Sequence, residues 1–77
     1  MMSAIDTLIR LAAERHQVSA DTLAPGDDFF EKLGIDSIQA LDLLSELEMK
    51  FDVEIPDYEL QGVGTFEALA ALIDRRR

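Results

Sequence analysis

Seventy-seven residues without a single cysteine leave room for one small hydrophobic core, with residues 1–77 read as one domain, and exclude disulfides, thiol chemistry and zinc–thiolate sites. Hydrophobic residues make up 48 % of the chain, enough to build that core, yet no apolar run reaches the roughly 20 residues of a membrane span. The formal charge is −9, and residues 17–67 set thirteen acidic side chains against Lys32 and Lys50 alone, which argues against nucleic acid as a partner and for proteins with basic patches.

The stretch "SAIDTLIRLAAER", residues 3–15, reads as a first helix. Ile5, Leu8, Ile9, Ala12 and Ala13 recur at three- and four-residue spacing, the period of one helical face. Ser3 is placed to cap it, with Asp6 three residues on. The opening residues are charged throughout and lack the uncharged centre of a signal peptide, so a cytoplasmic protein is expected.

Residues 16–36 form a long connection with a Pro25-Gly26 turn signal. It carries Val18, Leu23, Phe29, Phe30, Leu33 and Ile35, too many large apolar groups for a solvated loop, so part of it packs back on the helices. "DDFFEKL" is short enough for one turn of helix.

A second helix is predicted over residues 37–51. Asp36 suits its N-cap, and Gln39 falls where a capping box places Glu or Gln. Leu41, Leu44, Leu47 or Glu48, and Phe51 follow one stripe, widened by Ala40 and Leu43, with Gln39, Asp42, Glu46 and Met49 toward the other side. Val53 and Ile55 alternate with acids, but the run is too short for a strand. A short third helix is read over 56–61, opened by Pro56 and ended by Gly62. Thr65 caps a last helix, "TFEALAALIDRRR", whose buried face is Phe66, Leu69, Ala70, Leu72 and Ile73, and whose Arg75–Arg77 end is read as solvated. The sum is an all-α protein: a small four-helix bundle, three main helices plus the short third, with a long loop between helices one and two.

Ser37 is the residue that needs explaining. His16 is the only histidine and lies some twenty residues away at the end of helix one, and the "GxSxG" elbow is absent, so Ser37 has no local base and no nucleophilic machinery. Asp27, Asp28 and Glu31 lack calcium-loop spacing, and no metal site is read. On the first residue of a helix, however, a serine hydroxyl sits beside amides that lack intrahelical partners and at the positive end of the helix dipole, where a phosphate ester is favoured. Gly34 allows a sharp bend there and offers no side chain to obstruct an approaching enzyme. Spacing alone equally describes a cap pair and no more.

"FFEKLGIDSIQALDLLSELEMKFDVEIPD" resembles the phosphopantetheine attachment region of acyl carrier proteins and of their peptidyl carrier relatives. The matching residues are Phe29 or Phe30, Leu33-Gly34, Asp36-Ser37-Ile38, and Phe51 through Ile55-Pro56. The first helix and the "GTFEALAALI" ending extend the likeness over nearly the whole chain. The resemblance implies a free-standing, monomeric carrier and not an enzyme. A phosphopantetheinyl transferase would attach 4′-phosphopantetheine to Ser37, flanked by Asp36 and Gly34, using magnesium held mainly by the transferase. Acyl intermediates would then ride on the arm as thioesters for fatty-acid, polyketide or specialised lipid biosynthesis. Helix two would recognise acyl-loading, synthase or transferase enzymes with basic docking patches, through Ile38, Gln39, Asp42, Glu46, Glu48 and Met49. Gln39, Met49 and Lys50 stand where fatty-acid carriers usually place acids, which favours a dedicated pathway. The alternatives are a peptidyl or aminoacyl carrier and an unmodified carrier-like interaction domain. Packing alone accounts for the apolar interior at this level, without a bound acyl chain.

Overall fold

Every helix begins at a short polar side chain that accepts from its own first turn. In the computed structural model, which describes residues 3–77, the helices are α1 (Ala4–His16), α2 (Phe29–Leu33), α3 (Ser37–Phe51) and α4 (Phe66–Arg76), with 3-10 turns at Ala20–Thr22 and Asp57–Gly62. Ser3 accepts from the Asp6 amide at 3.3 Å, Asp28 from Glu31 at 3.0 Å, Asp36 from Gln39 at 2.9 Å and Thr65 from Ala68 at 3.1 Å. Each bond satisfies one of the amides that the helix itself cannot.

The first three helices end alike. Gln17, Gly34 and Asp52 take left-handed backbone, with φ of 57°, 66° and 55°. The amide one residue further on reaches back to Ala13, Phe30 and Glu48 respectively, at 3.0, 3.0 and 3.1 Å, which is the Schellman closure. Glycine occupies only one of these three left-handed positions.

The long connection is pinned at both edges. The Asp27 carboxylate accepts from the Ala24 amide at 2.9 Å. Phe29 N–H donates to the Gly64 carbonyl, Phe66 N–H to Asp27 and Glu67 N–H to Pro25, so the loop is laced to the entry of α4. Its apolar side chains do pack inward. Leu23, Phe29, Leu33 and Ile35 are buried, and Val18 and Phe30 lie against the same cluster. Phe29 stacks on Phe30 at 4.5 Å between centroids and meets Phe66 at 6.0 Å, so these rings join the loop to the core.

One apolar cluster holds these elements together. Leu8 and Ala12 of α1, Leu43 and Leu47 of α3, and Phe66, Leu69, Leu72 and Ile73 of α4 are all within it, and α1 packs most extensively on α4. Among the described residues no polar side chain is fully buried, so burial of apolar area is what drives the assembly.

"DDFFEKL" contains the helical turn expected of it, α2. The short third helix read over 56–61 is a 3-10 helix over Asp57–Gly62, with Pro56 as the extended residue before it. No side chain caps it, and its Glu59 amide bonds the Pro56 carbonyl three residues back at 3.0 Å, the tighter pattern that short segments adopt. Gly62 belongs to the turn, and Val63 after it is extended rather than left-handed. The Arg75–Arg77 end is also more than solvated. Arg76 pairs with Glu59, and the Arg77 guanidinium lies 5.5 Å from the Phe51 ring.

Left-handed backbone costs a side-chain-bearing residue about 1–2 kcal/mol that glycine avoids. Gln17→Gly and Asp52→Gly are therefore expected to raise the thermal midpoint by several degrees each, and Gly34→Ala to lower it, as read by circular dichroism melts.

Candidate functional site

The α2–α3 corner is built to present the start of α3. Gly34 closes α2 in a conformation that permits a sharp turn, and an added Cβ there would meet no neighbour within 4 Å. Buried Ile35 anchors the turn to the core. Asp36 then opens α3 with a reciprocal cap: its carboxylate accepts from Gln39 N–H at 2.9 Å, and the Gln39 side-chain oxygen accepts from Asp36 N–H at 3.1 Å. The first carbonyl–amide bond of the helix runs from Ala40 N–H to Asp36 at 2.9 Å. That accounting leaves the amides of Ser37 and Ile38 without intrahelical partners.

Ser37 is the first residue of α3 and is exposed. The hydrogen bonds at this corner run between Asp36 and Gln39 and leave the Ser37 hydroxyl out of them. Beside it opens a groove of about 340 Å³ lined by Ser37, Ala40 and Leu41 of α3, Phe30 of α2, and Asp57, Leu60, Gln61 and Val63. A phosphoester on Ser37 would meet two free amides and the positive helix end, and a chain leaving it has an apolar groove at hand.

Sequence reasoning missed that groove. It put Leu41 in the buried stripe, yet Leu41 is 37 % exposed, because the buried arc of α3 is Ala40, Leu43, Leu44 and Leu47 and Leu41 falls on its flank. The opposite wall comes from a segment whose Leu60 and Val63, three residues apart, were the available signal.

The predicted recognition residues divide into three groups. Ile38 and Met49 are 72 % and 83 % exposed, and Gln39 and Asp42 also face solvent. Glu46 is half-buried and ion-paired to Arg15 of α1. Glu48 is turned the other way: its carboxylate accepts from the Ile55 amide at 3.0 Å, which holds the chain after α3 against the helix. Asp28 is occupied by its cap, and Asp27 by the Ala24 amide and Lys32, 3.8 Å away.

His16 closes α1 and borders a separate hollow with Arg15, Gln39 and Asp42, not the groove that Ser37 lines. Burial first, and the neighbouring Arg15 charge second, push its pKa below the ordinary imidazole value. Its Nε2 is enclosed without a hydrogen-bond partner among the described residues.

Ser37 is thus an accessible hydroxyl on a helix start, and among the described residues neither a base nor an oxyanion hole is arranged around it. The family model described as phosphopantetheine attachment site matches residues 6–73. The acyl carrier protein of Sulfurovum sp. (strain NBC37-1) is 36 % identical over 64 residues, covering 83 % of this chain and 85 % of that relative. The acyl carrier protein of Chlorobium phaeovibrioides (strain DSM 265 / 1930) is 34 % identical over 62 residues, 80 % of each chain. That of Helicobacter hepaticus (strain ATCC 51449 / 3B1) is 30 % identical over 76 residues, 99 % of this chain and 100 % of the relative. The chain belongs to the acyl carrier protein family, and is thus a carrier with a covalent 4′-phosphopantetheine site and not an enzyme. No helix among the described residues is long and apolar enough to cross a membrane.

Two outcomes follow from the site's geometry. Asp36→Ala, which removes the cap acceptor, is expected to cost about 1 kcal/mol, and Asp36→Asn, which retains an acceptor oxygen, much less; paired denaturant titrations read the difference. A lowered His16 pKa means that the neutral form contributes stability fully present above the ordinary imidazole pKa and lost as pH falls through the folded value. His16→Gln should flatten that acid limb of a stability–pH profile.

Proposed function

We propose that Ser37 is the attachment residue and that the protein carries an apolar acyl chain as a thioester, in a dedicated polyketide or lipid pathway rather than general fatty-acid synthesis. The observation that carries the reading is the exposed Ser37 hydroxyl on the first residue of α3, at the mouth of a largely apolar groove. A phosphopantetheinyl transferase moves 4′-phosphopantetheine from coenzyme A to that hydroxyl: the Ser37 oxygen forms the new P–O bond, the pyrophosphate bond of coenzyme A breaks, adenosine 3′,5′-bisphosphate leaves, and the serine proton goes to a base on the transferase. The prosthetic group supplies the thiol that a cysteine-free chain lacks. Asp36 holds the helix start, Gly34 keeps the approach open, and the Ser37 and Ile38 amides face the phosphoester.

Phe30, Leu41, Leu60 and Val63 around the groove offer apolar area to an acyl chain, which favours an acyl cargo over an aminoacyl one, although Asp57 on the same lining places one carboxylate there. The same groove supplies a place for the chain itself that packing arguments alone did not require. Partner enzymes dock through Ile38, Gln39, Asp42 and Met49, with basic patches drawn to the acidic body. Glu46 contributes there as half of an ion pair with Arg15, and Glu48 acts on docking only through the Ile55 segment it holds.

Incubation with coenzyme A, magnesium and a broad-specificity transferase is expected to add one phosphopantetheine by intact mass. Ser37→Ala should abolish the gain while its circular dichroism remains helical. No gain in the native chain, under conditions that load a control carrier, points to an unmodified interaction domain. Asp42→Lys is expected to slow loading or onward transfer, more strongly at low salt than at high salt.

A further inference from the structure

The segment from Pro56 to Val63 forms one wall of the groove beside Ser37, through Asp57, Leu60, Gln61 and Val63. It is an arch fixed at its two feet. Before it, Ile55 is buried and its amide is held by Glu48 of α3. After it, the Gly64 carbonyl accepts from Phe29 N–H at 3.0 Å. Between those feet the 3-10 turn has no fully buried residue and no side-chain cap, and its backbone bonds, Glu59 to Pro56 and Val63 to Leu60, are internal. Leu60 leans on the core. The polar ties of the span converge on Arg76 at the end of α4: Glu59 pairs with it side-on through one guanidinium edge, Nε at 3.1 Å and Nη2, and the neighbouring Tyr58 hydroxyl also acts on that guanidinium.

We propose that the Glu59–Arg76 pair is a tether that sets how far this arch can move from α3, and so which acyl chain lengths the groove beside Ser37 admits. The cargo half of the inference rests on Ser37 being the attachment residue; the tether half does not. Exposed ion pairs add little to global stability, but a span with so few other ties opens locally, and a small energy is enough to shift a local equilibrium. The two-point contact restricts direction as well as distance, because a planar guanidinium fixes the carboxylate's orientation. The Arg76 hydrogen bond is also the main reason the Glu59 carboxyl is held below its usual range, against the opposing effect of burial, so the pair is intact at neutral pH.

The first readout is amide hydrogen exchange on the unloaded chain. Glu59→Ala and Arg76→Ala are expected to speed exchange across residues 58–63 by about three- to fivefold, with amides in α1 and α3 unchanged. Arg76→Lys, which keeps the charge, should recover part of the protection. Raising sodium chloride to about 1 M should move the native chain toward the variants and leave the variants unmoved. The salt arm uses the unaltered protein, so it stands even if a variant folds poorly. Unchanged exchange in both the variants and high salt overturns the tether. The second readout is the rate at which hydroxylamine cleaves the thioester on chains loaded with a short and with a long acyl group. The long-to-short ratio should change about threefold or more in Glu59→Ala. Faster exchange with an unchanged ratio overturns the cargo role. Faster exchange in a chain that takes no cargo at Ser37 overturns the attachment assignment and leaves the tether standing.

Discussion

Backbone amides at the start of a helix have no carbonyls to bond, and the α2–α3 corner is organised around that deficit. Asp36 and Gln39 satisfy one amide each across the first turn, which fixes where α3 begins and in which direction it leaves. The two amides they do not serve belong to Ser37 and Ile38. A helix start that was fully capped would have nothing left for a phosphoester, and one that was uncapped would fray. The corner lies between those extremes: it is rigid in its backbone and open in its hydroxyl. Gly34 and buried Ile35 feed the chain into it, the first by its left-handed turn and the second by its anchorage in the core.

The rest of the molecule supports that corner at a distance. The rings of Phe29 and Phe66 join the loop before it to α4, and α4 packs on α1, so the apolar cluster beneath α3 is shared by all the long helices. Side chains also tie elements together: Glu48 to the chain after α3, Arg15 to Glu46, Arg76 to Glu59. Such pairs matter less as stability than as constraints on where lightly packed segments lie. Among the described residues no general base or oxyanion hole is arranged around Ser37, in keeping with a carrier that is not an enzyme.

Legibility in the sequence followed the range of the interaction. Asp36 with Gln39, Thr65 with its helix, and Ser3 with Asp6 are contacts over three residues, and all were readable as local patterns. The face of α4 was read residue by residue because five apolar positions on a regular helix have one way to point inward. Leu41 and Glu48 were harder. Each lies on the flank of a stripe, and periodicity does not say whether a flank meets core, groove or backbone until the neighbouring segment is in place. The short helix over Asp57–Gly62 was legible as a helix but not as a 3-10 one, because composition gives the length of a segment better than its hydrogen-bond spacing. Nothing in "RRR" indicated that Arg76 would find Glu59, 17 residues earlier.

The residues themselves therefore determined the class of fold, the start of α3 and the candidate hydroxyl, since caps, turns and apolar periods are set by neighbours within a few positions. Only the folded chain decided that a groove opens beside Ser37, that Leu41 lines it, that Glu48 supports the backbone, and that Glu59 is held by Arg76. Those features come from segments remote in sequence meeting across one core, and a surface that exists only between two elements has no signature in either one alone.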